Sequence, residues 1–205
     1  MLERNTEPMN EVIRHLLEKR TIRHYKEEQI KADDLKWILQ AGLYASTAGG
    51  RQSPVMLVCQ NKETNERLGR INRAFFGHAN SDGIHFVSQA QKSIADDDSI
   101  KSGFYGAPTV ITLFAPRNWL YGVHDCTSAA VNMTLAAWSL GIGSCYVSRA
   151  EETFESELGK KLMLEAGIEP HYTARVCLCL GYPDGEPGTA KPRKEGRVRF
   201  VSEKE

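Results

Sequence analysis

The stretch 125–140 limits more than any other what this chain can fold into. Its hydrophobic spacing is helical, yet Ala129, Ala130, Ala136 and Ala137 stand between Val131, Met133, Leu135 and Leu140. Small side chains on several faces let neighbouring backbones approach closely, which predicts a central helix packed on more than one side. Asp125 is placed to cap its start, and it also offers an acid/base pair with His124. Gly141-Ile142-Gly143 ends the helix, and 144–148 reads as a short strand leaving it.

The elements around that helix follow from the same periodicities. Asn10 can cap a first helix in which Val12, Ile13, Leu16 and Leu17 repeat at helical spacing. Asp33 can cap a second, with Leu35, Ile38, Leu39, Gly42 and Leu43 as a buried stripe and Trp37 packing beside it. A loop of small residues follows, Ala45-Ser46-Thr47-Ala48-Gly49-Gly50-Arg51-Gln52-Ser53-Pro54, whose backbone can come close to another group. Strands are expected at 55–60, 109–115, 175–180 and finally 197–201, with helices at 62–73 and 151–166. Residues 75–103 have the least periodicity and carry Gly77, Gly83 and Asp96-Asp97-Asp98, the pattern of an excursion over an active site or of a long surface insertion. With no internal repeat and no clear linker, 1–205 is expected to be one domain, long enough to bury a sizeable core.

Composition narrows the function. Lys plus Arg and Asp plus Glu number 26 each, so no global field draws the protein to nucleic acid or to an anionic membrane, and neither is expected as a partner. Residues 1–8 lack the apolar core of a signal peptide and no apolar run approaches bilayer length, which makes the cytoplasm the expected location. The five cysteines have neither zinc spacing nor a CxxC pair, and Cys177 and Cys179 alternate on one face of a strand as small hydrophobes. The six histidines are scattered without ligand spacing, so no metal site is expected. GxxxxGK[ST], HExxH, GxSxG and a strand-to-helix GxGxxG are all missing, and no catalytic side chain is assigned.

What remains is charge concentrated locally. Lys19-Arg20-Thr21-Ile22-Arg23-His24-Tyr25 puts three fixed positive charges and a hydroxyl into one turn. Guanidinium forks and an ammonium match phosphate oxygens in charge and geometry, while the same run also reads as a solvated basic turn. A second cluster, Lys191-Pro192-Arg193-Lys194, lies near the other end of the chain.

Taken in order, Lys19-Arg20-Thr21-Ile22-Arg23, Thr47-Ala48-Gly49-Gly50-Arg51-Gln52-Ser53, the block 125–137 with Leu140-Gly141-Ile142-Gly143-Ser144-Cys145, and Leu180-Gly181-Tyr182 with Lys191-Pro192-Arg193 resemble the FMN-dependent nitroreductase family over nearly the whole chain. The resemblance implies an α+β domain with a mainly antiparallel central sheet flanked by helices. It further implies an intertwined homodimer with FMN at the interface and a C-terminal strand extending over the partner. Lys19, Arg20, Thr21 and Arg23 would hold the FMN phosphate together with Lys191 and Arg193. Thr47 and Gln52 would contact the flavin across the dimer interface, and Asn72 would reach its pyrimidine edge. Backbone N–H groups of Ser148 and Arg149 would face the O4/N5 edge, where donors stabilise the charge that develops as the ring accepts hydride. That arrangement would account for the missing catalytic side chains, because the cofactor carries the chemistry.

The activity implied is a ping-pong oxidoreductase in which NADH or NADPH reduces FMN and a nitroaromatic, quinone or related electron-poor small molecule takes the electrons. Phe75, Phe76, Phe104 and Tyr105 are candidates for stacking on those substrates, or for the core. Two positions depart from the family loop: Gly50 stands where it has Asn, and Ser53-Pro54 where it has Pro-Trp. A flavin storage, sensing or delivery protein, or a dehalogenating or flavin-cleaving relative, are alternatives on the same scaffold.

Overall fold

A computed structural model describes residues 10–76 and 90–201. Four antiparallel strands form one sheet in the order β1-β2-β4-β3, with β1 at Val55–Cys59, β2 at Thr109–Pro116, β3 at Gly143–Val147 and β4 at Tyr172–Gly181. Helices α1 (Glu11–Glu18), α2 (Ala32–Leu43), α3 (Lys62–Ala74), α4 (Gly122–Ser139), α5 (Ala150–Phe154) and α6 (Glu157–Glu165) flank it. The α+β class and the antiparallel sheet are therefore as the resemblance implied.

The two central strands are buried on both faces because their apolar residues do not alternate with polar ones. Ile111, Leu113, Val176, Leu178 and Leu180 pack with α2 and α4, whereas Val110, Phe114, Cys177 and Cys179 pack with Leu68, Phe104 and Phe154. As the small-residue pattern requires, Ala129, Ala130 and Ala137 of α4 are wholly buried. A side chain at Gly42 of α2 would meet Met133 Sδ at 2.7 Å, so the α2–α4 approach depends on glycine there.

Several elements differ from expectation for identifiable reasons. Helix α4 begins at Gly122, and Asp125 is drawn inside its first turn because other groups bind the carboxylate. Helix α2 starts after Lys31, leaving Asp33 and Asp34 in the first turn where their charge suits the positive end of the helix. The expected helix 151–166 is broken in two: Ser156 caps α6 by accepting the Gly159 N–H at 3.1 Å, and Gly159 sits too close to the Phe154 backbone for any side chain. Residues 197–201 form no strand and are exposed. Phe104 belongs to the core rather than to a stacking surface.

Exposure also departs from the pattern. Asn10 caps α1 as expected, accepting the Val12 N–H at 2.8 Å, yet the apolar face of that helix is uncovered, with Val12 65% and Leu17 58% exposed. Trp37 and Leu43 of α2 are exposed as well. Strand β1 is half-buried and forms one edge of the sheet. Among the described residues no helix is long and apolar enough to cross a membrane.

Candidate functional site

The basic turn runs along the outer edge of β3. Thr21 pairs in parallel with Ser144, and the Ile22 N–H donates to Ser144 O at 2.9 Å. Ile22 is fully buried against Gly143, where an added Cβ would stand 2.8 Å from the Ile22 side chain. The close approach of turn and strand thus depends on the pair Ile22 and Gly143. On either side of this anchor the basic side chains have separate partners. Arg20 Nη1 folds back onto Leu17 O and Lys19 O at 2.7 and 2.8 Å, satisfying carbonyls at the end of α1. Burial lowers the Lys19 pKa, while the adjacent Cys145 thiol counteracts the shift.

Arg23 turns inward. Its N–H donates to Gln91 Oε1 at 2.5 Å and its Nη1 to Gln91 O at 2.8 Å, and its guanidinium lies 5.7 Å from the centre of the Tyr105 ring. Its Nε is buried without a hydrogen-bond acceptor among the described residues. Burial pushes the Cys145 thiol beneath the turn up to about 11 despite Arg23 and Lys19, and pushes the Tyr105 hydroxyl up to about 12. Gln91 Nε2 reaches Glu186 O at 3.5 Å, so one buried glutamine ties the turn to the end of the excursion and to the start of the C-terminal tail. Tyr25 pairs with Pro183, and the Asp184 N–H donates to His24 O at 2.9 Å. Lys191 and Arg193 lie further along that tail, both exposed. Of the excursion, 77–89 fall outside the described residues.

At the far end of β3 the chain turns into α5 through Ser148 and Arg149. Arg149 is left-handed, at φ 59° and ψ 32°, a region that residues with a Cβ seldom enter. Asn72, buried in the last turn of α3, donates through Nδ2 to Ser148 O at 2.9 Å and lies 3.0 Å from Thr153 Oγ1. It therefore sits behind this junction. The backbone N–H groups of Ser148 and Arg149 donate to no acceptor among the described residues.

The small-residue loop is anchored elsewhere, at the start of α4. Its tip is a 3₁₀ turn, Ala48–Gly50, with Gly49, Gly50 and Gln52 at positive φ. Thr47 Oγ1 accepts the Gln52 N–H at 3.0 Å. The Asp125 carboxylate accepts from Ala48 N–H at 2.9 Å, Ser53 Oγ at 2.5 Å and Trp119 Nε1 at 2.9 Å. Burial alone would raise this carboxyl, but the Ser53, Trp119 and Ala48 donors hold it below its ordinary value. Arg51 stacks 4.6 Å over Trp119. His124 is exposed, and Asp125 serves the loop rather than an acid/base pair.

Thus the structure brings Lys19, Arg20, Thr21 and Arg23 together along β3. It places Ser148 and Arg149 at the end of the same strand with Asn72 behind them, and it ties Thr47 and Gln52 to a different part of the chain. Reading residues missed Gln91, Thr153 and the role of Asp125. The run Ser53, Trp119 and Asp125 held a signal, since a buried carboxylate needs donors, but Gln91 lies in aperiodic sequence without any.

A sequence model of the Nitroreductase family matches residues 16–182. A protein of Archaeoglobus fulgidus named as an NADH dehydrogenase/NAD(P)H nitroreductase is 29% identical over 180 residues, covering 87% of this chain and 88% of its own. An NADPH-flavin oxidoreductase of Vibrio harveyi is 26% identical over 192 residues, covering 93% and 72%. Among solved structures, a nitroreductase with bound FMN from Bacteroides fragilis aligns over 95% of this chain and 100% of its own, with a TM-score of 0.77 and 26% identity. A second, from Desulfitobacterium hafniense, shares the fold with a TM-score of 0.78 and 22% identity over the same fractions.

Proposed function

The chain belongs to the nitroreductase family, and we propose that it is an FMN-dependent oxidoreductase. It draws electrons from NADH or NADPH and passes them to nitroaromatic, quinone or related electron-poor acceptors in alternating half-reactions. When bound, FMN supplies reversible hydride transfer at N5. The observation that carries this reading is the layout of β3, with a cationic turn along its edge and, at its end, two backbone donors without a partner among the described residues.

Those residues fit the cofactor's chemistry. Lys19, Arg20, Thr21 and Arg23 offer ammonium, guanidinium and hydroxyl donors for a phosphate, and the buried Arg23 Nε has no acceptor among the described residues. Ser148 and Arg149 N–H groups would stabilise negative charge at the O4/N5 edge without any side-chain acid. Thr47 and Gln52 would line the flavin from the partner subunit, and Lys191 and Arg193 would complete the phosphate site from the tail. Asn72 has its amide donors engaged behind Ser148, which favours a supporting role over a direct flavin contact.

The functional unit is a homodimer of one-domain subunits spanning 1–205. The uncovered apolar face of α1, the exposed Trp37 and Leu43, and the sheet edge at β1 supply surface for a second copy. The tail, with Val198 and Phe200 alternating with Arg197 and Arg199, is suited to cross to the partner. The five unpaired cysteines suit a reducing compartment, and the cytoplasm is the proposed location; recovery in a membrane or secreted fraction contradicts it.

Purified protein is expected to be yellow, to sediment as a dimer, and to lose flavin absorbance on addition of NADH or NADPH. Colourless protein that takes up no added FMN overturns the cofactor and the activity, and a monomer when loaded overturns the shared site.

A further inference from the structure

Resting on the flavin reading above, we propose that Asn72 and Thr153 are positioning residues that clamp Arg149 in its left-handed conformation and thereby aim the Arg149 N–H at the flavin. The geometry is a closed set of donors around two carbonyls. Thr153 Oγ1 donates to Arg149 O at 2.6 Å, and the Thr153 N–H reaches the same oxygen at 3.1 Å. Asn72 Nδ2 donates to Ser148 O at 2.9 Å, and it lies 3.0 Å from Thr153 Oγ1 and 3.4 Å from Arg149 O. Because the hydroxyl proton of Thr153 goes to Arg149, its lone pair faces the Asn72 amide, so both side chains have a defined polarity. Asn72 and Thr153 are both buried, and water does not substitute readily for either.

A peptide plane has one orientation: fixing its carbonyl fixes its N–H. Holding Ser148 O therefore orients the Arg149 N–H, while the Arg149 torsions, held through Arg149 O, set how that plane meets the start of α5. A left-handed arginine persists only where its surroundings determine it, and here they do so from three elements. Asn72 comes from α3 and Thr153 from α5. The end of the excursion supplies Gly103, where an added Cβ would collide with Asn72 Oδ1. The Arg149 side chain is itself occupied, with Nη1 3.1 Å from Glu152 Oε1. The contribution of Arg149 to the site is thus its backbone.

A purely structural staple between α3 and α5 would change stability alone, whereas a positioning clamp must change what the flavin experiences. The test compares FMN-loaded wild type with Thr153→Val, which keeps the shape and removes the hydroxyl, and Thr153→Ser, which restores it. Thr153→Val is expected to slow reduction by NAD(P)H about tenfold with an unchanged KM. It should also shift the equilibrium of flavin reduction against a reference dye, and Thr153→Ser should return both to within about twofold of wild type. The amide resonance of Arg149 should move in Thr153→Val, and in FMN-free protein the amides of 149–153 should exchange faster. Folded Thr153→Val with wild-type flavin equilibrium and a wild-type Arg149 amide overturns the clamp. Asn72→Ser is read in the same way if Thr153→Val does not fold. Wild-type protein that takes up no FMN overturns the flavin reading instead, and amide exchange in the apoprotein then decides the clamp separately.

Discussion

The two basic segments assigned to one phosphate differ in how the fold holds them. The turn 19–25 is bound at successive residues, with Arg20 on the end of α1, Thr21 and Ile22 on Ser144, Arg23 on Gln91, and the Tyr25 hydroxyl on Ile22 O at 2.5 Å. In the tail, every residue from 189 to 201 is exposed. Charge does not make this difference, since both segments are rich in it. The turn contains Ile22, an apolar residue that reaches the core beside Gly143, and burial of that residue holds its charged neighbours in place. Val198 and Phe200 of the tail find no such pocket among the described residues.

The largest effect should come from removing that anchor. Ile22→Ala is expected to lower unfolding stability by about 2–5 kcal/mol, the range for deleting a fully buried aliphatic side chain, and to weaken FMN binding as the turn leaves β3. Val198→Ala in the tail should change stability by no more than about 0.5 kcal/mol when protomers are measured below the concentration of association. Urea titrations of the two variants decide the matter. Equal small losses would show that the turn, like the tail, is held by something other than its own apolar contact.

A smaller effect distinguishes the segments by ligand. If both serve the phosphate, Arg23→Ala and Arg193→Ala should each weaken FMN by about ten- to a hundredfold, or roughly 1.5–3 kcal/mol, and riboflavin much less. Titration of the apoprotein with the two flavins separates the phosphate contribution from the ring contribution. A selective loss for Arg23 alone removes the tail from the site. Equal losses for both flavins show instead that Arg23 acts by holding Gln91 and Tyr105 in place.

The contrast also marks where the residue pattern was informative. Strands 109–115 and 175–180 and the helices at 11–18 and 62–74 were legible because each contains its own periodic apolar signal. The turn was legible as charge, and its anchoring was not, because the partner of Ile22 is a glycine more than a hundred positions away. Asp125 was misplaced as a cap because its three donors come from Ala48, Ser53 and Trp119 rather than from its own helix. The helix break at Ser156 was hidden by a continuous apolar spacing that the contact between Gly159 and Phe154 overrides. Residues 197–201 alternate like a strand, but alternation describes a surface to be covered and does not supply the covering strand.

The smallest effect tests the floor under the turn. Cys145 lies there buried, with Arg23 and Lys19 nearby favouring its thiolate and burial opposing it more strongly, so that its pKa stands at about 11 against an ordinary 9.0. A group whose pKa is raised on folding contributes fully below its unfolded value and loses that contribution as pH rises through the folded one. Stability should therefore hold up to about pH 9 and fall between pH 9 and 11, with Cys145 adding at most about 1.4 kcal/mol per pH unit to the slope. Cys126 and Cys177, pushed up to about 12 by burial, extend the decline to higher pH. Cys145→Ala should make the slope from pH 9 to 11 shallower by about 1 kcal/mol per unit, whatever it costs at neutral pH. The described tail residues from 189 on are all exposed, and truncation after Thr189 should leave the slope unchanged. Parallel slopes for wild type and Cys145→Ala would mean that water reaches the thiol and that the turn opens from β3 far more readily than its hydrogen bonds suggest.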